Sequence, residues 1–122
     1  MLAIDSLSKK FGDFQVLDNI SINAEKSQIY GLVGSNGCGK TTVLKHIMKV
    51  YRQDEGNIAF EGEEVDENSE IIKDFYYVQD TLYFPYQYTL NKLFHYEKLM
   101  YKNMSEEKFE YLLKYFNTDI RY

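Results

Sequence analysis

Hydrophobic and polar residues alternate near the start of the chain and give way to other patterns further along. Apolar side chains occupy every second position within residues 2–4 and 20–24, which is typical of half-buried strands. Gly12 and Asp13 lie between these segments and predict a hairpin turn. Residues 28–33 form a short, almost continuous apolar run, which predicts a central strand covered on both faces.

Three segments carry apolar residues at the spacing of an α-helix. The first covers residues 41–50, and its predicted buried face consists of Val43, Leu44, Ile47, Met48 and Tyr51. The second follows Thr89, a predicted N-cap, and its face consists of Leu90, Leu93, Phe94, Glu97, Met100 and Tyr101. The third follows Ser105, also a predicted N-cap, and its buried face consists of Phe109, Leu112, Leu113 and Phe116. His46 and His95 lie on these helices and are predicted to be surface or interface residues.

The segment between the first two helices predicts short strands and turns. Gly56 and Gly62 bracket a short strand pair, and residues 75–78 predict a further strand. Residues 61–70 are acidic and include neither histidine nor cysteine, which favours a solvated turn over a metal site.

Candidate chemistry lies between the run at 28–33 and the first helix. This segment matches the phosphate-binding pattern G-x-x-x-x-G-K-[ST] and consists of Gly34, Ser35, Asn36, Gly37, Cys38, Gly39, Lys40, Thr41 and Thr42. Its glycines let the backbone amides curl toward a phosphate at the positive end of a helix dipole. The predicted ligand is a nucleoside triphosphate, with Lys40 at its β- and γ-phosphates and the Thr41 hydroxyl on Mg²⁺. The alternative is a glycine-rich turn with an ordinary surface lysine, which the strand-like and helix-like flanks disfavour.

The order of motifs around this loop narrows the class. Phe11 precedes the loop, Asn36 lies within it, residues 56–62 read G-x-I-x-x-x-G, and Gln79 ends a Tyr-Val-Gln run. This order resembles the ATP-binding cassette (ABC) ATPase domain over nearly the whole chain. The resemblance implies a site for ATP and Mg²⁺ in which Phe11 stacks on adenine, with Val16 and the loop as further cofactor-binding residues.

The resemblance also implies catalytic roles and an incomplete domain. Lys40 and Gln79 are the expected catalytic residues, and Thr41 and Gln79 the expected Mg²⁺ ligands. The family's signature segment, its Walker B strand ending in Asp-Glu and its switch histidine are not found before Tyr122. We therefore expect a truncated α/β fold. A P-loop NTPase-like core with an N-terminal antiparallel β subdomain would cover residues 1–85, and the start of an α-helical subdomain residues 86–122.

Three functions are consistent with these motifs. The favoured one is the ATP-binding portion of an ABC transporter ATPase subunit, which couples ATP binding and hydrolysis to transport. Another P-loop enzyme, such as a small-molecule kinase or GTPase, would leave Phe11 and the glutamine strand without a role. The third is a nucleotide-binding or regulatory module without turnover, and the 122 residues alone are expected to be inactive as an ATPase because the Walker B acid is missing.

Composition and the resemblance together indicate the partners. The net charge of −5 argues against nucleic acid, no apolar run approaches ~18 residues, and the single cysteine suits a reducing cytoplasm. The resemblance implies a location at the inner, cytoplasmic face of the membrane, with a second ATPase domain as dimer partner. It also implies a membrane-spanning subunit bound at the glutamine loop and helical subdomain.

Two further expectations concern contacts of the chain. An aromatic cluster beside the glutamine is expected either to pack between subdomains or to touch that membrane subunit, and it consists of Tyr83, Phe84, Pro85, Tyr86 and Tyr88. The isolated chain is expected to form oligomers, because the strand at 28–33 would otherwise keep a bare edge.

Overall fold

The computed structural model describes residues 1–80, 88–101 and 103–118. They fall into two compact units, Met1–Tyr77 and Val78–Tyr122. In the described part of the chain, no helix combines the length and the apolar character that crossing a membrane requires.

An antiparallel sheet forms most of the first unit. Its strands are β1 (Leu2–Phe11), β2 (Phe14–Ala24), β3 (Glu55–Phe60) and β4 (Glu63–Glu64), in the order β2-β1-β3-β4. The turn at Gly12 and Asp13 joins β1 to β2, with Phe11 opposite Phe14. Gly12 has a φ of 60°, a left-handed conformation that glycine adopts without strain. The predicted hairpin and the predicted short strand pair at 56–62 are both confirmed.

Helix α1 (Lys40–Ile47) packs on this sheet and closes the core. The buried apolar residues of the first unit form one cluster, which consists of Ile4, Leu7, Leu17, Val43, Ile58 and Val65. The helix ends earlier than the predicted 41–50, because Lys49 has a φ of 54° and cannot continue it.

Two side chains of α1 depart from their predicted positions. Leu44 is 39% exposed although it was predicted to be buried. His46 is fully buried in the core, although it was predicted to be a surface or interface residue. The inward face runs through Val43 and His46, three residues apart. Leu44 points away from this face, because it is rotated by about 100° from Val43 and about 160° from His46.

The prediction of a central strand at residues 28–33 is wrong for this structure. That segment has no strand assignment, and Ile29 and Val33 are almost completely exposed. A strand needs a hydrogen-bonded neighbour, and the four strands of the described residues pair only with one another. Residues 75–78 likewise form no strand, although Phe75 packs edge-on against Phe60 with 5.0 Å between ring centroids. They follow a short 3₁₀ helix, Glu70–Asp74.

The second unit contains helices α2 (Leu90–Met100) and α3 (Glu106–Tyr115). Both predicted N-caps are confirmed, because the Thr89 and Ser105 hydroxyls accept hydrogen bonds from backbone N–H groups three residues later. Phe94 on α2 is buried and stacks on Phe109 of α3 at 4.2 Å between ring centroids.

Some predicted members of the helix faces are exposed instead, namely Met100, Leu112 and Phe116. They lie toward the ends of their helices, whereas the packed centre is the Phe94–Phe109 pair. His95 is exposed, as predicted.

Candidate functional site

The glycine-rich loop turns sharply into α1 and packs against β2. Gly39, the N-cap of α1, is buried and has a φ of 94°. A Cβ atom added there would lie 2.9 Å from Leu17 Cδ2 and 3.1 Å from the Val16 carbonyl oxygen. The positive φ strains any other residue at this position, and the close strand leaves little room for a Cβ atom, so glycine lets the loop lie directly on the strand.

The remainder of the loop is equally compact. The Cys38 N–H donates to the Ser35 carbonyl at 3.3 Å, and a Cβ added to Gly34 would come within 2.6 Å of Cys38 Sγ. The Val43 N–H donates to the Gly39 carbonyl at 2.9 Å and forms the first turn of α1. The amides of residues 40–42 precede that bond, so they belong to the part of a helix that offers N–H groups to an anion.

Lys40 folds back over the loop that precedes it. Its ammonium donates to the Gly34 carbonyl at 2.8 Å and to the Ser35 carbonyl at 2.7 Å, and it lies 3.7 Å from Cys38 Sγ. The positive charge is thus held above the curled backbone, where an anion on the amides would meet it.

The other residues of the motif are placed around this charge. Ser35, Asn36 and Thr41 are exposed, whereas Thr42 is half-buried. The Thr42 carbonyl contacts His46 Nδ1 at 2.7 Å, one turn further along α1. Exposed hydroxyl and amide groups beside an exposed loop leave these side chains accessible to a ligand.

Phe11 and Val16 lie on the hairpin that supports the loop. Val16 is half-buried and forms part of the surface that Gly39 touches. Phe11, at the end of β1, is 45% exposed, with the Lys9 ammonium 5.6 Å from its ring centroid. The β1–β2 hairpin of the first unit therefore contacts the loop through Val16 and also bears the accessible ring of Phe11.

Two residues near Phe11 were not predicted from the sequence to belong to the site. The Tyr51 ring packs edge-on against Phe11, with 5.3 Å between centroids and 72° between planes. The Asp54 carboxylate accepts hydrogen bonds from Lys9 Nζ and from the Lys10 backbone N–H, both at 2.7 Å. These two bonds hold the pKa of Asp54 below its usual value, and the bond from Lys9 has the larger effect. No local pattern marks Asp54, because its partners lie 44 and 45 positions away in the sequence.

A buried histidine lies beneath the same region. His46 is fully enclosed, and its ring contacts Tyr51 at 5.7 Å between centroids. Among the residues that the structure describes, its Nε2 atom has no hydrogen-bond partner.

Two predicted parts of the site lie outside the first unit. Gln79 is exposed and belongs to the second unit, so its role at the phosphates and Mg²⁺ stays a prediction. Residues 83–86 of the aromatic cluster lie outside the described residues, and Tyr88 is 43% exposed.

Comparison with protein families decides the class of the chain. A family model described as ABC transporter matches residues 17–119. The chain belongs to the ABC transporter family. The match begins at Leu17, which Gly39 touches, and includes the whole glycine-rich loop.

Several curated relatives are named as ATP-binding proteins of transporters. The ABC transporter ATP-binding protein YtrB of Bacillus subtilis is 38% identical over 90 residues, which are 72% of this chain and 31% of that protein. The galactose/methyl galactoside import ATP-binding protein MglA of Salmonella typhimurium is 39% identical over 69 residues, which are 57% and 14%. The sulfate/thiosulfate import ATP-binding protein CysA of Neisseria meningitidis serogroup B is 42% identical over 64 residues, 52% and 18%.

Solved structures of the family share the fold. An ATP-binding subunit of an ABC transporter aligns with a TM-score of 0.79 at 25% identity, covering 93% of this chain and 49% of that one. An ATP-binding cassette of another ABC transporter aligns with a TM-score of 0.57 at 29% identity, covering 61% and 30%. The chain thus spans about half of the first of these structures and about a third of YtrB.

Proposed function

We propose that this chain is the ATP-binding portion of an ABC transporter ATPase subunit, which couples ATP binding and hydrolysis to transport across a membrane. The observation that carries the proposal is the curled loop before α1 with the Lys40 ammonium held on the Gly34 and Ser35 carbonyls. The family membership and the names of the relatives support the same function.

The residues present fit a magnesium nucleotide. The amides of residues 40–42 and the loop backbone would hold the phosphates, and Lys40 would exchange its carbonyl partners for phosphate oxygens. The Thr41 hydroxyl and the Gln79 amide oxygen would serve as Mg²⁺ ligands, because this ion prefers hard oxygen donors. Phe11 would carry the adenine ring on its exposed face. Bound Mg·ATP supplies the γ-phosphoryl group that is transferred to water.

The proposed partners follow from the same family role. A second ATPase domain would complete the nucleotide site, and a membrane-spanning subunit would dock near Gln79 and the helical unit. The proposed location is the cytoplasmic face of the membrane. MglA and CysA are named for import of chemically unrelated solutes, and the described residues hold no site that favours one of them.

Replacement of Lys40 tests the proposal. Charge-assisted hydrogen bonds contribute roughly 1.5–3 kcal/mol, so Lys40→Ala should weaken Mg·ATP binding about 10- to 100-fold in calorimetry. Lys73→Ala is the matched control, because it removes a lysine that pairs with Glu70 on the surface. If Lys40→Ala and the parent protein bind Mg·ATP with equal affinity, the loop is not the nucleotide site.

A nucleotide-binding module without turnover is the second candidate. Among the described residues, no carboxylate hydrogen-bonds to Lys40 or to the loop, and hydrolysis needs a base that polarises water. The 122 residues alone should therefore release phosphate only at trace rates. A rate on the order of 1 s⁻¹ or faster would exclude the second candidate and require a base within the chain, with Gln79 and Asp80 as the first residues to replace.

A further inference from the structure

We propose that Asp54 is a positioning residue that holds Phe11 in place as the platform for the nucleotide base, a role that rests on the proposed ATP-binding function. The Asp54 carboxylate binds the two residues directly before Phe11. Lys9 Nζ and the Lys10 backbone N–H donate to its two separate oxygens, each at 2.7 Å. A third bond, from the Asp54 N–H to the Ser8 carbonyl at 3.1 Å, completes the attachment.

The attachment supports the end of β1, where pairing with β3 has ended and pairing with β2 is irregular. The pairing of β1 with β3 stops at Ser8 opposite Glu55. The pairing of β1 with β2 changes register on either side of Lys9. The Asp54 carboxylate takes the Lys10 N–H that lies beyond the β3 ladder, so the last residues of β1 keep a defined backbone position.

Residues 50–54, which connect α1 to β3, also link Phe11 to the helix that begins at Lys40. Val50 and Tyr51 both donate their N–H groups to the Lys45 carbonyl, at 2.9 and 3.3 Å, which fixes the start of the connection on α1. The Tyr51 ring then packs against Phe11, and three residues later Asp54 binds the end of β1. A short, hydrogen-bonded segment therefore connects the end of β1 that bears Phe11 to α1, the helix that follows the glycine-rich loop.

This arrangement predicts that loss of Asp54 weakens binding of the nucleotide base and leaves binding of the phosphates unchanged. Asp54 touches neither the loop nor Lys40, whose hydrogen bonds are to Gly34, Ser35 and Cys38. If Asp54 is lost, Phe11 keeps its ring but loses its fixed place, so stacking on a base weakens while charge pairing with phosphates persists.

The experiment compares two probes, Mg·ATP and magnesium tripolyphosphate, which has the phosphates without the base. Affinities are measured for the parent, Asp54→Ala, Asp54→Asn, Phe11→Ala and the double variant Phe11→Ala/Asp54→Ala. Asp54→Asn keeps an oxygen that can accept from the Lys10 N–H. Glu61→Gln is the matched control, because Glu61 is also an exposed carboxylate paired with a lysine, at the opposite end of the β1–β3 pair. Thermal unfolding of each variant verifies that it is folded.

The positioning role predicts a specific pattern. Asp54→Ala should weaken Mg·ATP about two- to tenfold and leave tripolyphosphate unchanged, with Asp54→Asn closer to the parent. In the Phe11→Ala background, loss of Asp54 should cost nothing more, since the platform is already absent. Glu61→Gln should bind both probes as the parent does.

Other results would overturn the inference. An Asp54→Ala variant that binds Mg·ATP as the parent does, or that loses both probes equally, would refute a role through Phe11. Additive losses in the double variant would refute it as well. Lys40→Ala tests the ATP-binding function separately from the role of Asp54. If Lys40→Ala binds both probes with the affinity of the parent protein, the proposed ATP-binding function is refuted, and the positioning role that rests on it is refuted as well.

Discussion

Cys38 lies inside the glycine-rich loop, and its thiol allows the loop to be modified chemically. Its sulfur fills the space next to Gly34, lies 3.7 Å from the Lys40 ammonium, and belongs to an exposed side chain. Any group added to this sulfur would stand where the loop is predicted to hold phosphates. Since the chain has a single cysteine, the modification is selective.

Alkylation of Cys38 should therefore abolish Mg·ATP binding. N-ethylmaleimide is the reagent, and intact-mass measurement together with calorimetry gives the extent of labelling and the affinity. Cys38→Ser should bind ATP and be insensitive to the reagent, and Mg·ATP should slow labelling of the parent. Full labelling without loss of affinity would contradict the predicted position of the phosphates.

His46 is a buried polar residue in the core of the first unit. One ring nitrogen contacts the Thr42 carbonyl, and the other lacks a hydrogen-bond partner among the described residues. A buried polar atom without a partner costs about 1–3 kcal/mol, whereas the net gain from one hydrogen bond is about 1 kcal/mol. The position should prefer an apolar side chain of similar size.

We expect His46→Leu to stabilise the protein by about 1 kcal/mol in urea unfolding. His95→Leu is the matched control, because His95 makes the same contact to the carbonyl four residues earlier, at 2.8 Å, but is exposed. That control should change the free energy of unfolding by less than about 0.5 kcal/mol. Destabilisation by His46→Leu would show that the buried Nε2 has a partner in solution.

The helices of the second unit begin at well-formed caps. The Ser105 hydroxyl accepts from the Lys108 N–H at 3.2 Å, and Glu106 and Glu107 occupy the first turn of α3, where the helix dipole favours negative charge. Glu106 also pairs with Lys98 of α2 at 2.5 Å, which lowers the pKa of Glu106. The start of α3 thus receives support from its own cap and from the neighbouring helix.

Ser105→Ala should destabilise α3 by about 1 kcal/mol, because the Lys108 N–H loses its acceptor. Hydrogen exchange of the amides in Glu106–Tyr115 measures the change locally, and Ser105→Asp should preserve protection because Asp also caps. Unchanged exchange in Ser105→Ala would mean that packing of Phe94 on Phe109, and not the cap, maintains the helix.

For the chain as a whole, the segment at residues 28–33 is the most exposed apolar stretch of the first unit. Ile29 and Val33 have exposed fractions of 101% and 94%, and Tyr30 and Leu32 are also exposed. Backbone groups without a ladder beside apolar side chains form a template for another chain. We therefore expect the 122-residue chain, studied alone, to associate.

Light scattering should give at least twice the 14.5 kDa mass of one chain at micromolar concentration. The double variant Ile29→Lys/Val33→Lys should shift the protein toward the monomer, because charge on an open edge opposes pairing. Val50→Lys, which replaces an exposed apolar residue outside the segment, is the control. A parent chain that stays at 14.5 kDa would show that the segment does not act as a template.

The features that could be predicted from the sequence are those made by neighbours along the chain. The Gly12 turn, the start of α1 at Gly39 and the caps at Thr89 and Ser105 each depend on residues within about four positions of one another. Backbone preference and short-range hydrogen bonds decide such features, so the residue types suffice to locate them. The same holds for the candidate phosphate loop, whose glycines and lysine all lie within residues 34–40.

Contacts between distant segments decided the rest. The bond from Lys10 to Asp54 spans 44 positions, and the burial of His46 depends on how α1 is turned against the sheet. The apolar run at 28–33 has the composition of a central strand, yet a strand exists only where a second segment supplies hydrogen bonds along its edge. No local pattern contains that information, because the free energy of pairing and burial belongs to both partners, and the chain brings them together only on folding.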